Sequence, residues 1–262
     1  MIEKIPVWGL FVGTILLVMV AHEIGHLLGH AAKAHPKEEK DSTTGAISGA
    51  ILGLVAFMLA FTFGMAADRY DARKALVREE ANAIGTAYLR TDFLPDSARA
   101  KSARLFRTYV DDRVSAVQKN DPAGLARTLA EAPRIHKELW SIAVANARTD
   151  MNSDIGALYI ESLNDVIDIH AMRVNVAVHT RIPGGIWEIL FGLIGVGLAA
   201  VGYHAAIAGS RKSWVTVMLG FALALVIGLI AVLDRPQAGI IKVSQQPLID
   251  VRDMIDADGR WR

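Results

Sequence analysis

An all-helical membrane protein, with four spanning helices and a long helical region outside the lipid, is predicted by three features of this 262-residue sequence. Four apolar runs are long enough to cross a bilayer, the segments between them carry apolar residues at helical spacing, and no run alternates apolar and polar residues as a half-buried strand would. The composition agrees: 52% of residues are hydrophobic, the formal net charge is only +1, and mean hydropathy is +0.32. So balanced a charge, with no basic stripe, excludes the electrostatic footprint of a nucleic-acid-binding protein. The chain has no cysteine, which excludes disulfides, thiolate metal sites and cysteine nucleophiles and fits a cytoplasmic aqueous part.

The first span is expected over residues 5–28. Ile5 to Ala21 is uncharged, and the run continues through His22-Glu23 to Leu28. Ala32-Lys33-Ala34 looks like a signal-peptidase site, but the uncharged stretch is long for a signal peptide and Glu3 offsets Lys4, so it is read as a retained helix. The second span, residues 45–67, carries no charge and passes without a helix breaker into the charged stretch Asp68 to Arg90. At about 1.5 Å per residue the two halves make a rod of roughly 70 Å, about twice the hydrocarbon thickness, so the second half is a stalk in water. Tyr70, Val77, Ala81, Ile84 and Tyr88 fall on one side of that stalk, with Arg69, Arg73, Lys74, Arg78, Glu79 and Glu80 on the remainder, predicting one packed seam and a solvated face.

Beyond the stalk, Asp92 to Ser97 reads as a break and a capped start. A helix over 98–118 follows, with Leu105, Tyr109 and Val117 on its apolar side; Asn120-Asp121-Pro122 ends it. Helices near 123–148 and 154–180 complete the aqueous region, the latter with Ile155, Leu158, Ser162, Val166, Ile169 and Val176 near one side. The third span, 186–208, carries only Glu188, and the fourth, 214–233, is uncharged; residues 234–262 read as a polar tail. The whole chain, 1–262, reads as one membrane domain with an aqueous region over 68–185. An even number of spans puts both termini on one side. Nine basic residues flank the spans on the side holding the termini and the long middle segment, against five (Lys33, Lys37, Lys40, Arg211 and Lys212) on the other. The positive-inside rule therefore places both termini and the middle segment in the cytoplasm.

Gly45, Gly49 and Gly53 form a row of small residues that permits close helix approach in lipid. The row gives way at the same spacing to Phe57 and Phe61, whose bland reading is packing. Residues 59–74 and 80–90, together with Ser162 to His170, Leu233-Asp234-Arg235-Pro236 and Val243 to Leu248, resemble the bacterial bestrophin-like domain family over nearly the whole chain. A more distant resemblance is to bestrophins proper, pentameric anion channels with four membrane helices per subunit, cytoplasmic termini and a helical cytoplasmic region. That resemblance implies a homo-oligomer in the bacterial inner membrane, a pentamer by analogy, passing inorganic ions through a pore lined by the second membrane helix. The same resemblance implies that Gly53, Phe57 and Phe61 line a hydrophobic neck, and that Asp234 and Arg235, in the turn ending the fourth span, order its cytoplasmic mouth at Asp68 and Arg69. Gly53 stands where a third bulky neck residue is expected, which implies a wider or shorter neck. A ring of Phe edges would stabilise a partly dehydrated anion or gate by dewetting. No cofactor is implied.

His22-Glu23-Ile24-Gly25-His26 is a complete H-E-x-x-H, the pattern that puts two imidazoles one turn apart for zinc beside a general base. It raises an alternative: an intramembrane zinc metalloprotease with His22, His26 and His30 as candidate ligands. The third ligand is poorly supplied. Position 32 is Ala32, and the only Asp-Gly pair, Asp258-Gly259, lies in the polar tail. Glu23, Gly25 and Gly29 themselves match an acidic-x-Gly-x-x-x-Gly pattern of the bestrophin-like family, leaving only the histidines to explain, and interfacial imidazoles are common. A third reading is a non-conducting membrane scaffold or sensor. Topology is directly testable: a cysteine at Ser42 or Ser210 reacts with an impermeant reagent added to intact cells, and one at Ser115 does not; labelling at Ser115 would reverse the orientation.

Overall fold

The computed structural model describes residues 5–33, 41–118, 122–178, 180–210, 214–235 and 241–259. Lys4, Lys37, Lys40, Arg211 and Lys212 of the charge count, the Asn120-Asp121 break and Pro236 lie outside them. The described residues form eight α-helices and no strand: α1 Val7–Lys33, α2 Asp41–Leu89, α3 Asp96–Gln118, α4 Pro122–Ala147, α5 Asp154–Val178, α6 Gly184–Ile207, α7 Trp214–Asp234 and α8 Gln246–Asp258. A short 3-10 turn, Arg90–Phe93, follows α2. Four helices, α1, α2, α6 and α7, are long and apolar enough to cross a membrane. The chain divides into two compact units, one of Met1–Tyr70 with Arg181–Lys242, the other of Asp71–Thr180 with Val243–Arg262. Helix α2 contributes to both.

The membrane unit is organised around the α1–α6 pair. Lipid supplies no hydrophobic force between helices, so helices associate where small residues let their backbones meet. A Cβ on Gly25 would lie 1.8 Å from the Ala199 carbonyl oxygen, one on Gly29 2.6 Å from that of Tyr203, and one on Gly202 2.0 Å from that of His22. These three glycines bring α1 and α6 into backbone contact. On the α2 side, Ser48 donates to the carbonyl of Ala200 at 3.0 Å, and a Cβ on Gly197 would touch Ile51 and Val55. Helix α7 packs on α1 through Gly220, which faces Val18, and through an edge-to-face contact of Phe11 with Phe221. Thr14 and Thr62 return their hydroxyls to the carbonyls one turn earlier, Leu10 and Met58, so neither hydroxyl is left bare inside the unit.

The small-residue row anticipated in α2 is not the one this unit uses. Around Gly49 and Gly53 an added Cβ meets nothing within 4 Å, and of that row only Gly45 is packed, against the ring of His204. The sequence pattern ranks all small-xxx-small rows alike; which one is filled depends on the facing helix.

In the second unit the expected stalk seam is present: Val77, Ala81, Ile84 and Tyr88 are buried in a core with Phe106, Tyr109, Val110, Ile135, Leu139, Tyr159 and Leu163. Three expectations require correction. Arg73 and Glu80, assigned to the solvated face, are buried. Ile155 and Leu158 are exposed, because the buried stripe of α5 runs through Tyr159, Leu163, Val166 and His170, and Leu158 lies one residue, about 100°, away from it. The polar tail holds α8, with Pro247 in its first turn and Gly259 at its C-cap in the left-handed conformation, φ 69°. Leu248 and Ile255 bury its apolar side, Arg107 pairs with Asp256, and the Tyr88 hydroxyl donates to Asp258 at 2.5 Å.

The α1–α6 contact predicts that Gly25→Ala lowers the thermal stability of purified protein by about 1–3 kcal/mol or more, because the clash is with backbone. Gly13→Ala on the same helix, where a Cβ meets nothing within 4 Å, leaves the unfolding midpoint within about 0.5 kcal/mol of wild type. Equal midpoints for the two variants would remove the glycine contact as the determinant.

Candidate functional site

The proposed pore residues share one unfilled face of α2. Phe57 and Phe61 are 65% and 55% exposed within the single chain, and Ile47, Gly49, Gly53 and Leu54 extend the same open surface. The opposite face of the helix carries the buried Val55, Leu59, Thr62 and Ala66. At the end of the apolar run Asp68 is exposed and Arg69 half-buried. Asp234 is buried and serves the α5–α6 connection: its carboxylate accepts the Ile182 N–H at 3.0 Å, and its carbonyl accepts from Arg181 at 2.8 Å. Arg235 donates to the carbonyl of Ile5. These bonds tie the end of α7 to the segments that lead into α6 and α1.

The histidine row lies along one side of α1, with His22 buried, His26 half-buried and His30 exposed. His22 is buried and lies 3.3 Å from the Thr216 hydroxyl; its ring is 6.3 Å from that of His26, and His26 meets His30 edge to face at 4.6 Å. Among the described residues no three His, Asp or Glu side chains are grouped to hold a metal ion. The Asp-Gly pair that the alternative reading would recruit is the end of α8, where Asp258 accepts from Tyr88 and Gly259 caps the helix.

The most concentrated polar chemistry surrounds Glu80, which helical periodicity assigns to the solvated face of the stalk. Glu80 on α2 is 0% exposed. Tyr109 of α3 donates to its Oε1 at 2.8 Å. Arg113, one turn further along α3, donates from Nη2 to Oε2 at 3.2 Å and holds Nε 3.1 Å from Oε1. Arg173 of α5 also donates to Oε2 and, through its other amino group, donates to Gln245 Oε1 at 2.6 Å. His170 Nδ1 lies 3.0 Å from the Tyr109 hydroxyl and 3.9 Å from Glu80 Oε1. The ring of His136 on α4 completes the cluster, 5.1 Å from that of Tyr109 and 5.0 Å from that of His170. One signal was available in the sequence: Glu80 falls one turn after Val77 and one before Ile84, on the edge of the seam itself.

Glu80 lies thirteen residues past the uncharged run of α2, outside the membrane-spanning segment. Burial alone would raise its pKa, but Arg113, Arg173 and the hydrogen bonds from Arg173 and Tyr109 prevail and hold it at about 2. The same burial, with the carboxylate alongside, pushes the Tyr109 phenol well above its ordinary value. A carboxylate that binds two further helices to the stalk is a clamp, and removing it strands the largely buried guanidinium groups of Arg113 and Arg173. Glu80→Gln is therefore expected to destabilise the protein by about 3–5 kcal/mol. In unfolded chain Glu80 takes up its proton near its ordinary value, in the folded protein near 2, so its contribution is complete above about pH 4.5 and is lost as pH falls towards 2. Thermal unfolding followed from pH 5 to pH 2.5 checks this: wild type loses stability faster than Glu80→Gln across that interval, and parallel curves would refute the clamp.

The sequence matches the Bestrophin-like domain over residues 15–248. No curated protein matches the chain. Among solved structures, a bacterial bestrophin homologue from Klebsiella pneumoniae aligns with 94% of this chain and 96% of its own, at 16% identity and a TM-score of 0.64. Two variants of that homologue align similarly. One has 14% identity, covers 96% of this chain and 99% of its own, and gives a TM-score of 0.68; the other has 16% identity, covers 95% and 97%, and gives 0.64. At such identities these structures establish the fold, and the domain match over most of the chain establishes the family: this four-span, all-helical membrane protein is a member of the bestrophin-like family.

Proposed function

We propose that the protein is an oligomeric ion channel whose pore is lined by α2. The observation that carries this reading is the unfilled face of that helix, where Gly49, Gly53, Phe57 and Phe61 stay open in the single chain while its other side is packed. Small residues followed by aromatics at one-turn spacing suit an axis where copies of α2 approach closely and then leave a narrow apolar neck. Phe ring edges carry positive electrostatic potential, so the neck favours anions over cations. Gly53 widens it at the turn before Phe57, and Asp68 and Arg69 stand at its mouth. The bestrophin likeness supports an oligomer, with five copies as the expected number. The charge bias favours an orientation with both termini and the aqueous helices in the cytoplasm of a bacterium, the protein sitting in its inner membrane. Its partners are then its own copies, lipid and inorganic ions.

Two measurements test the reading. Gly49→Leu fills the face where copies of α2 meet and is expected to reduce the oligomer to smaller species in detergent; an unchanged mass would remove α2 from the axis. Replacing both Phe57 and Phe61 by Ala removes the dewetting barrier and raises chloride flux in liposomes, normalised to assembled protein. If the rings only packed a core, the substitution would cost roughly 3–5 kcal/mol per residue and lower folded yield instead. A double variant that assembles normally, with neither it nor the wild type conducting any ion tested, would replace the channel with a scaffold.

A further inference from the structure

The Glu80 cluster contains two groups that the clamp does not require. His136 and His170 reach it from α4 and α5, both are buried, and their rings meet edge to face. The groups facing them are Glu80 from α2, Tyr109 and Arg113 from α3, and Arg173 from α5. With both imidazoles neutral, this interior holds one carboxylate and two guanidinium groups. A proton on either ring adds a third positive charge to a single negative one in a largely buried region. His136 has no outlet for that charge: its Nε2 is buried without a hydrogen-bond partner among the described residues. A charged imidazole donates from both nitrogens, so protonated His136 presents a buried N–H to no acceptor. For His170, Tyr109 gives its hydroxyl proton to Glu80, so the phenol oxygen accepts from His170 Nδ1–H, and the added proton falls on the other nitrogen.

We propose that the His136–His170 pair makes the packing of α4 against α3 and α5 sensitive to pH, so that this contact loosens in mild acid while the Glu80 carboxylate stays ionised. The geometry agrees with the electrostatics. Burial first, then Arg113, and for His170 also the neighbouring imidazole and Arg173, outweigh the attraction of Glu80 and hold both rings at about 4. Once the contact opens, each ring returns to its ordinary value near 6.5. A group whose folded pKa is depressed stabilises the packed form above the open-state value, and that stabilisation is lost as pH falls from about 6.5 towards 4. Between pH 7.5 and 5.5 each ring therefore raises the opening equilibrium about tenfold, and the pair up to about a hundredfold. Glu80, held at about 2, does not titrate in that window.

The experiment is hydrogen exchange of the α4 amides at residues 132–143 in full-length protein in lipid nanodiscs, at pH 7.5 and 5.5, corrected for the pH dependence of intrinsic exchange. The expected result is a rise in exchange of about tenfold or more at pH 5.5 for wild type and less than about twofold for His136→Gln/His170→Gln. No rise in wild type, or the same rise in the double variant, overturns the proposal. Should the double variant fail to fold, imidazole resonances of the wild type decide: histidine titration that tracks the exchange rise supports the switch, and rings that remain neutral throughout the rise overturn it.

Discussion

One uninterrupted helix has to satisfy two solvents, and the rest of the structure is arranged around that constraint. In lipid every backbone N–H and C=O must be bonded within the helix, so α2 cannot break while it crosses. In water it has to be covered on one side to be held at all, since a solvated helix gains little from its own backbone bonds. The chain meets both demands with a single buried stripe at spacings of three and four. It passes through Val55, Leu59, Thr62, Ala66 and the half-buried Tyr70 in the membrane unit and through Arg73, Val77, Glu80, Ile84 and Tyr88 beyond it. What changes along the stripe is its chemistry. As far as Ala66 it is apolar except for Thr62, whose hydroxyl is folded back on its own helix; beyond the membrane unit it admits a carboxylate.

That carboxylate explains why further segments hold fixed positions against the stalk. Apolar contacts alone would let α3 and α5 slide along α2, whereas the bonds from Tyr109, Arg113 and Arg173 to two oxygens admit one register. Arg173 extends the constraint to Gln245, immediately before α8. A buried ion cluster adds little net stability against a well-packed apolar alternative, but breaking it is costly, so its contribution here is to specificity of packing. In the membrane unit the same role falls to Gly25, Gly29 and Gly202, which act by leaving space for backbone instead of by charge.

Much of this was legible in the sequence because length and charge are decisive for a membrane helix. About twenty uncharged residues have few alternatives, and the four spans, the aqueous helices and the seam of Val77, Ala81, Ile84 and Tyr88 stand where periodicity puts them. The family pattern could also be read, from segments scattered over nearly the whole chain. The buried cluster was not, because a charged residue is assigned to water unless its partners are known. Those of Glu80 lie 29, 33 and 93 residues away on two other helices. Helix α8 was hidden by its polarity, although Pro247 and Gly259 mark its two ends. Choosing between the glycine rows of α1 and α2 required the facing helix, which no single row specifies.

The central claim is that the open face of α2 lines a water-filled path for ions, and a cysteine-free chain allows it to be tested one residue at a time. The most direct measurement is chloride flux through liposomes containing Phe57→Cys, before and after a small charged methanethiosulfonate reagent, beside Met218→Cys on the exposed side of α7 and the unsubstituted protein. A bulky charge placed in the path alters passage, so flux through the Phe57→Cys protein is predicted to change sharply while the other two are unaffected. Complete modification of the Phe57→Cys protein that leaves its flux unchanged would contradict the account, as would a block that arises from position 218 instead.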